Sequence, residues 1–300
     1  MGGGLVLLAG CGAAVAPPAA PARHSPGRFW SGTDSFTVTV PGSVPYQTPA
    51  IGGDYGGYIG MAGNWAQGCG KLDIWSAAGS SQANANYARH IGIGTGVYWF
   101  MGGPGVDPHY RGTASEAYQW GERQANQALT DMSGRQVTYP VVFMDIEIPG
   151  TPGHPPVNYS PAWDNGWNIR YTSSCSGVEK AADVPASLDR ADLNGFAAYL
   201  TGHSRYRAGV YSAPSIWTDI FGTGTASRIP RVYEWTYESF TSSLAHLPAG
   251  WCLRRTTTCA RFFGGQTSAS GYALMWQWSG GGGSSNGYGD FDQIDASRTP

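Results

Sequence analysis

Along this chain, short apolar runs alternate with longer stretches whose polar positions suit one face of a helix. The apolar runs predict strands over "GYIGMA" (57–62), "LDIW" (72–75), "GTGVYWFM" (94–101), "YPVVFMDIE" (139–147), "AGVYS" (208–212), "RVYEW" (231–235) and "YALMWQW" (272–278). Helices are expected over 80–90, 113–130, 187–203 and 213–221. The third carries a start signal, because Ser187 precedes "LDR" and acidic residues crowd its first turn. Strands alternating with helices indicate a parallel sheet joined by crossover helices.

Seven or eight strands in about 240 residues fit a closed barrel better than an open sheet. The expected fold class is α/β, a single irregular (β/α) barrel of the TIM type. No strand is followed by a Gly-rich phosphate loop that opens a helix. "GIGTG" (92–96) stands before a strand, where a nucleotide-binding turn cannot work, and reads as a tight turn. "SGGGGSSNG" (279–287) reads as a flexible loop. With no internal repeat and no second linker, residues 29–300 read as one domain.

One predicted strand ends unusually. "YPVVFMDIE" is apolar until it acquires Asp145 and Glu147, then breaks at a Pro-Gly turn. Side chains two apart on a strand point the same way, so these acids would share one rim with their Cα atoms about 7 Å apart. In such a barrel the C-terminal strand ends form the active face. Like-charge repulsion between two carboxylates raises the pKa of one, and a protonated carboxyl is what cleavage of a glycosidic bond needs. A structural alternative is an acidic pair that anchors a loop through salt bridges. Aromatics point the same way as the chemistry: "VYWFM" (97–101) and "MWQWS" (275–279) would bring Tyr98, Trp99, Trp276 and Trp278 toward that rim or its wall. Flat rings with an amide such as Gln277 make a sugar subsite, although alternation of strand faces sends some rings into the barrel–helix layer. Tyr98, Trp276 and Gln277 are stronger candidates than Trp99. "GVYSAPS" lacks the spacing of a nucleophile elbow.

Composition narrows the partners. Only 13% of residues are charged, against 13% aromatic and 45 glycines, which suits a surface that meets neutral polymers. A net charge of −2 with scattered arginines argues against nucleic acid. At the N-terminus, "GLVLLAGCG" is too short to span a bilayer and reads as a signal segment over 1–11. "LAGC" resembles the lipobox of bacterial lipoproteins, which makes Cys11 a lipidation candidate and the only membrane attachment expected. Residues 12–28 read as a Pro/Ala-rich tether. Without a lipid the chain would be secreted; with it, held at the extracellular face of the membrane or in the cell wall. The remaining Cys69, Cys175, Cys252 and Cys259 imply two disulfides, with three possible pairings. The short loop in "CLRRTTTC" makes Cys252–Cys259 the natural pair and leaves Cys69–Cys175. Dispersed histidines and the absence of a CxxC give no metal site, and no cofactor is expected. A monomer is expected.

These segments resemble the glycoside hydrolase family 25 lysozymes and related glycoside-hydrolase-like domains of exported actinobacterial proteins, over roughly residues 55–295. "GIGTGVYWF" is similar to the family's third strand and "YPVVFMDIE" to its fourth, ending in Asp-x-Glu. "GVYSAPSIW" resembles its Tyr-[Ser/Thr] strand and helix start, which marks Tyr211. "MWQWS" followed by "GDFDQID" resembles the last strand and its trailing acid. The resemblance implies cleavage of the β-1,4 link of peptidoglycan between N-acetylmuramic acid and N-acetylglucosamine. It implies Glu147 as general acid, Asp145 as stabiliser of positive charge or of the acetamido group, and Asp292 as the acid beyond the last strand. Tyr98, Tyr211, Trp276, Gln277 and Trp278 would bind substrate. One departure stands out: Met61 occupies the position where the family usually carries a first-strand Asp. Two functions therefore follow, a peptidoglycan hydrolase or a catalytically silent glycan-binding lipoprotein of the envelope.

Overall fold

The computed structural model describes residues 29–35, 57–61, 95–107, 109–133, 137, 139–147, 166–167, 169–171, 181–222, 232–238, 274–279 and 290–295. The segments around Cys11 and around Cys69, Cys175, Cys252 and Cys259 lie outside these residues, as do the expected strand at 72–75 and helix at 80–90.

Among the described residues ten strands are formed: β1 (Phe29–Ser35), β2 (Gly57–Met61), β3 (Thr95–Phe100), β4 (Val141–Asp145), β5 (Ile169–Tyr171), β6 (Ala181–Asp183), β7 (Arg207–Ser212), β8 (Tyr233–Tyr237), β9 (Met275–Ser279) and β10 (Asp290–Asp295). The same described residues include three α-helices, α1 (Ala114–Met132), α2 (Ala186–His203) and α3 (Pro214–Phe221), and a short 3-10 turn at Pro104–Val106. Strands β1-β10-β9-β8-β7-β4-β3-β2 close into a barrel, and β5 and β6 form a separate two-stranded sheet. Neighbours pair in parallel around the ring, except that β10 runs antiparallel to both β1 and β9. The fold is thus mixed α/β with a curled, closed sheet. It departs from the regular TIM pattern at β10, and at the β5–β6 hairpin between β4 and α2.

Alternation along the strands separates two apolar layers. Tyr98, Val141, Phe143, Tyr211, Trp235, Met275 and Ile294 fill the barrel interior. Val97, Trp99, Val142, Met144, Ile146, Ala208 and Val210 face outward and pack with Leu193, Phe196 and Leu200 of α2. The interior is crowded enough to require Gly209, where a Cβ would stand 2.5 Å from the Phe143 ring.

α1 starts with a capping box, in which the Thr113 side chain accepts from Glu116 N and the Glu116 carboxylate accepts from Thr113 N. A hydrogen bond from Arg111 N, and then those from Thr113, hold the Glu116 carboxyl below its ordinary pKa. The expected cap at Ser187 is a correction. Pro185 is the N-cap of α2 and no side chain caps it, because the helix begins at Ala186 and takes Ser187 into its first turn. α1 and α2 cross at very short range through two glycines. A Cβ at Gly121 would meet Asp192 O at 2.0 Å, and one at Gly195 would meet Tyr118 O at 2.0 Å. Nothing stands within 4 Å of a Cβ at Gly202. Gly121→Ala and Gly195→Ala should each destabilise the protein by about 1–3 kcal/mol or more through overpacking. Gly202→Ala, on an exposed helical turn, should stabilise it by up to about 1 kcal/mol. Chemical denaturation of the three variants checks the contrast.

Candidate active site

β4 sets the geometry. Val141 and Phe143 belong to the interior layer and Val142 and Met144 to the outer one, so Asp145 has interior parity. It pairs with Phe100 on one side and Tyr211 on the other. The ladder runs one bond past the strand end, since Ile146 N donates to Tyr211 O at 2.9 Å, and Ile146 joins the outer layer. Glu147 therefore lies just beyond β4 rather than within it, two residues on from Asp145. Asp145 is 6% exposed, whereas Glu147 is half-buried. Both acids sit at the C-terminal end of a parallel strand.

Around them the interior carries polar groups that are bonded to one another. Tyr211 Oη donates to Gln277 Oε1. Trp235 Nε1 donates to Asp292 Oδ1 at 2.9 Å. The Trp235 ring meets Tyr98 edge-on at 5.7 Å, Phe143 at 5.3 Å and Tyr211, tilted, at 4.6 Å. Trp235 is thus the hub that joins β3, β4, β7 and β10. Buried polar atoms in an apolar interior are costly unless bonded, and these pairings meet that need without leaving the barrel.

The structure brings Asp145, Tyr98, Tyr211 and Gln277 into the barrel interior, with Glu147 following Asp145. It does not bring Trp276 and Trp278 there. They flank Gln277 on β9 and take the opposite parity. Both are fully buried, and Trp276 Nε1 donates to Glu238 O at 2.8 Å. Trp99, the weaker candidate, also faces outward, donating from Nε1 to Gln124 Oε1 at 3.1 Å. Asp292 is a further correction. It lies inside β10, paired with Gly32 and Gln277, rather than beyond the last strand. It is 0% exposed, and its Oδ1 accepts from Trp235 Nε1.

Two residues went unnoticed in the sequence, and both come from "VYEWTYE". Trp235 was legible in principle, since Tyr233, Trp235 and Tyr237 alternate along one face. Glu238 follows β8 at the same end of the barrel as Asp145. Its N–H donates to Gln277 O at 3.1 Å, and partial burial raises its carboxyl pKa. Among the described residues, no group of three or more His, Cys, Asp or Glu side chains could hold a metal ion.

No protein-family pattern and no curated protein matches the sequence. Solved structures do. The spore cortex lytic enzyme SleM of Clostridium perfringens superposes with a TM-score of 0.51 at 15% identity, over 91% of this chain and 69% of that one. A muramidase from Acremonium alcalophilum gives 0.49 at 18% identity, over 90% and 96% of the two chains. A lysozyme from Streptomyces coelicolor gives 0.48 at 18%, over 90% and 94%. The likeness to SleM shows a shared fold.

Trp235→Phe keeps a ring in the interior and removes the donor to Asp292. Weakening the bonding of a buried carboxyl costs about 1–3 kcal/mol, and a denaturant titration should show that loss. A stability within a few tenths of a kcal/mol of the parent protein would mean that the Trp235–Asp292 bond does not hold the hub.

Proposed function

We propose that this chain is an exported glycan hydrolase that cleaves β-1,4 links of cell-wall peptidoglycan with Asp145 and Glu147. The observation that carries the reading is parity: Asp145 occupies the interior face at the C-terminal end of β4, and Glu147 follows two residues later in a less buried setting. That is the end of a barrel where catalytic side chains gather. Glu147 has the access to donate a proton to the departing sugar oxygen, while Asp145, more enclosed, faces the positive charge that grows on the ring. Tyr98, Tyr211 and Gln277 supply rings and an amide in the same interior. Glu238 adds a third carboxyl at this end, and its raised pKa favours a retained proton. The fold shared with a spore cortex lytic enzyme agrees with a wall polymer as substrate, although fold alone does not assign chemistry. Lipidation at Cys11, disulfides among Cys69, Cys175, Cys252 and Cys259, a tether over 12–28 and a monomeric barrel complete the proposal as an envelope protein.

A second reading, a silent glycan-binding lipoprotein, is favoured by one feature. Met61 ends β2 beside Trp99, where the resemblance calls for an acid. Losing one acid from a coupled set can cost orders of magnitude in rate.

One experiment separates the two. Purified protein incubated with insoluble peptidoglycan should release reducing ends, and Glu147→Gln should reduce that release to background while leaving retention on the polymer intact. Retention without release in the parent protein would select the binding reading. Equal release by the variant would remove Glu147 as the acid.

A further inference from the structure

Residues 101–107 leave β3 at the barrel end that carries Asp145, and every one of them is buried. A buried loop is uncommon, because each of its peptide groups must find a partner away from water. Here side chains supply several of the partners. Gly102 N donates to Gln124 Oε1 at 2.8 Å, and Gly102 O accepts from Gln124 Nε2 at 2.8 Å and from Trp120 Nε1 at 2.8 Å. Met101 O accepts from Trp167 Nε1 at 3.2 Å, and Gly105 N donates to Gly166 O at 3.1 Å. On its other side, Met101 N donates to the carbonyl of Asp145 at 2.8 Å. The main chain of the candidate carboxylate is thus one hydrogen bond away from the clamped segment.

Gln124 lies on α1 and is 0% exposed. Its Oε1 also accepts from Trp99 Nε1, and its Nε2 also donates to Asp192 Oδ1 at 3.4 Å. A side-chain amide offers two donors and two acceptor sites, and all are taken. Flipping the amide would set NH₂ against two donors, so a single orientation satisfies the site. We propose that Gln124, backed by Asp192 of α2, is the positioning residue of the carboxylate site, locking Met101 and Gly102 so that the end of β4 holds Asp145 in its productive orientation. This rests on the hydrolase reading.

The surroundings of Asp192 fit a neutral partner for that amide. Burial, then the charges of Asp189 on α2 and Asp107 after β3, push its carboxyl well above the usual carboxylate range, with Arg123 of α1 opposing. Arg123 is itself engaged by Asp107 at 2.8 Å. Folded Asp192 therefore keeps its proton to a higher pH than the unfolded chain does. In that window this group binds more protons in the folded state, and its contribution to stability declines as pH rises from about 4 until the folded group ionises.

The test uses the full chain and two variants. Gln124→Glu keeps the acceptor but, when ionised, turns an oxygen toward Gly102 O; when protonated, it regains a donor. At neutral pH the amides of 101–107 should exchange hydrogen faster than in the parent, and kcat on peptidoglycan should fall about a hundredfold with KM little changed. Both effects should diminish as the pH is lowered, a reversal that general destabilisation would not give. Asp192→Asn, which keeps the Oδ1 acceptor but cannot ionise, should show parental exchange in 101–107 and a smaller decline of stability with rising pH. Faster exchange with unchanged kcat in Gln124→Glu, or parental exchange in it, overturns the proposal. So does an Asp192→Asn protein that exchanges faster in 101–107. A parent protein that cleaves no wall polymer removes the hydrolase reading, and the catalytic half of this proposal with it; the exchange rates then still decide whether Gln124 clamps the segment.

Discussion

A closed sheet has an inside, and the inside is small. Once β1-β10-β9-β8-β7-β4-β3-β2 joins into a ring, each strand must send alternate residues into a space that side chains have to fill. The sorting on β4 follows from that constraint. Val142 and Met144 go outward to the helices, Val141 and Phe143 go inward, and Asp145 goes inward because it is the next residue in step. A carboxylate reaches the interior face as a consequence of sheet closure, and the end of β4 at Asp145 leaves the second acid, Glu147, less enclosed.

The interior also shows how such a space accommodates polarity. Its width is filled by aromatic rings packed edge-on or tilted around Trp235, which contribute both area and specific geometry. The polar tips of those rings are used for bonding: Tyr211 to Gln277, and Trp235 to Asp292. Each bond spans one intervening strand in the ring order, Tyr211–Gln277 across β8 and Trp235–Asp292 across β9, so the pairs tie next-nearest strands together through the interior. A barrel held in this way can expose carboxyl groups at one end without loosening beneath them.

Much of this was legible in the sequence, for a physical reason. β3, β4 and β7 pack on both faces and therefore read as near-continuous apolar runs; they fall within one or two residues of the expected spans. β8 and β9 end one or two residues later than expected, yet the alternation that sorts their residues was already present. β1 ("FWSGTDS") and β10 ("DFDQID") were not legible. Acids and small polar residues make up much of both, and they become strands through pairing with each other rather than through local preference. The same blindness placed Asp292 after the sheet instead of in it. Trp276 and Trp278 misled differently, since an aromatic repeat says nothing about which face is the inner one until Gln277 is seen to bond to Tyr211. The Gln124 clamp had no local signal at all. It joins α1, the segment after β3 and α2 across 22 and 68 positions of sequence.

The reversed strand carries one more implication, for the order of assembly. β10 sits between β1 and β9, and its register aligns Phe29 with Asp295. A ring whose seam joins residues so far apart cannot be sealed until both β1 and β10 have been synthesised. Until β10 emerges, β1 and β9 are open edges, able to recruit strands from other molecules. Bringing such distant segments together is slow relative to local helix and hairpin formation. The period between emergence of β1 and arrival of β10 is therefore when this barrel is most exposed to aggregation.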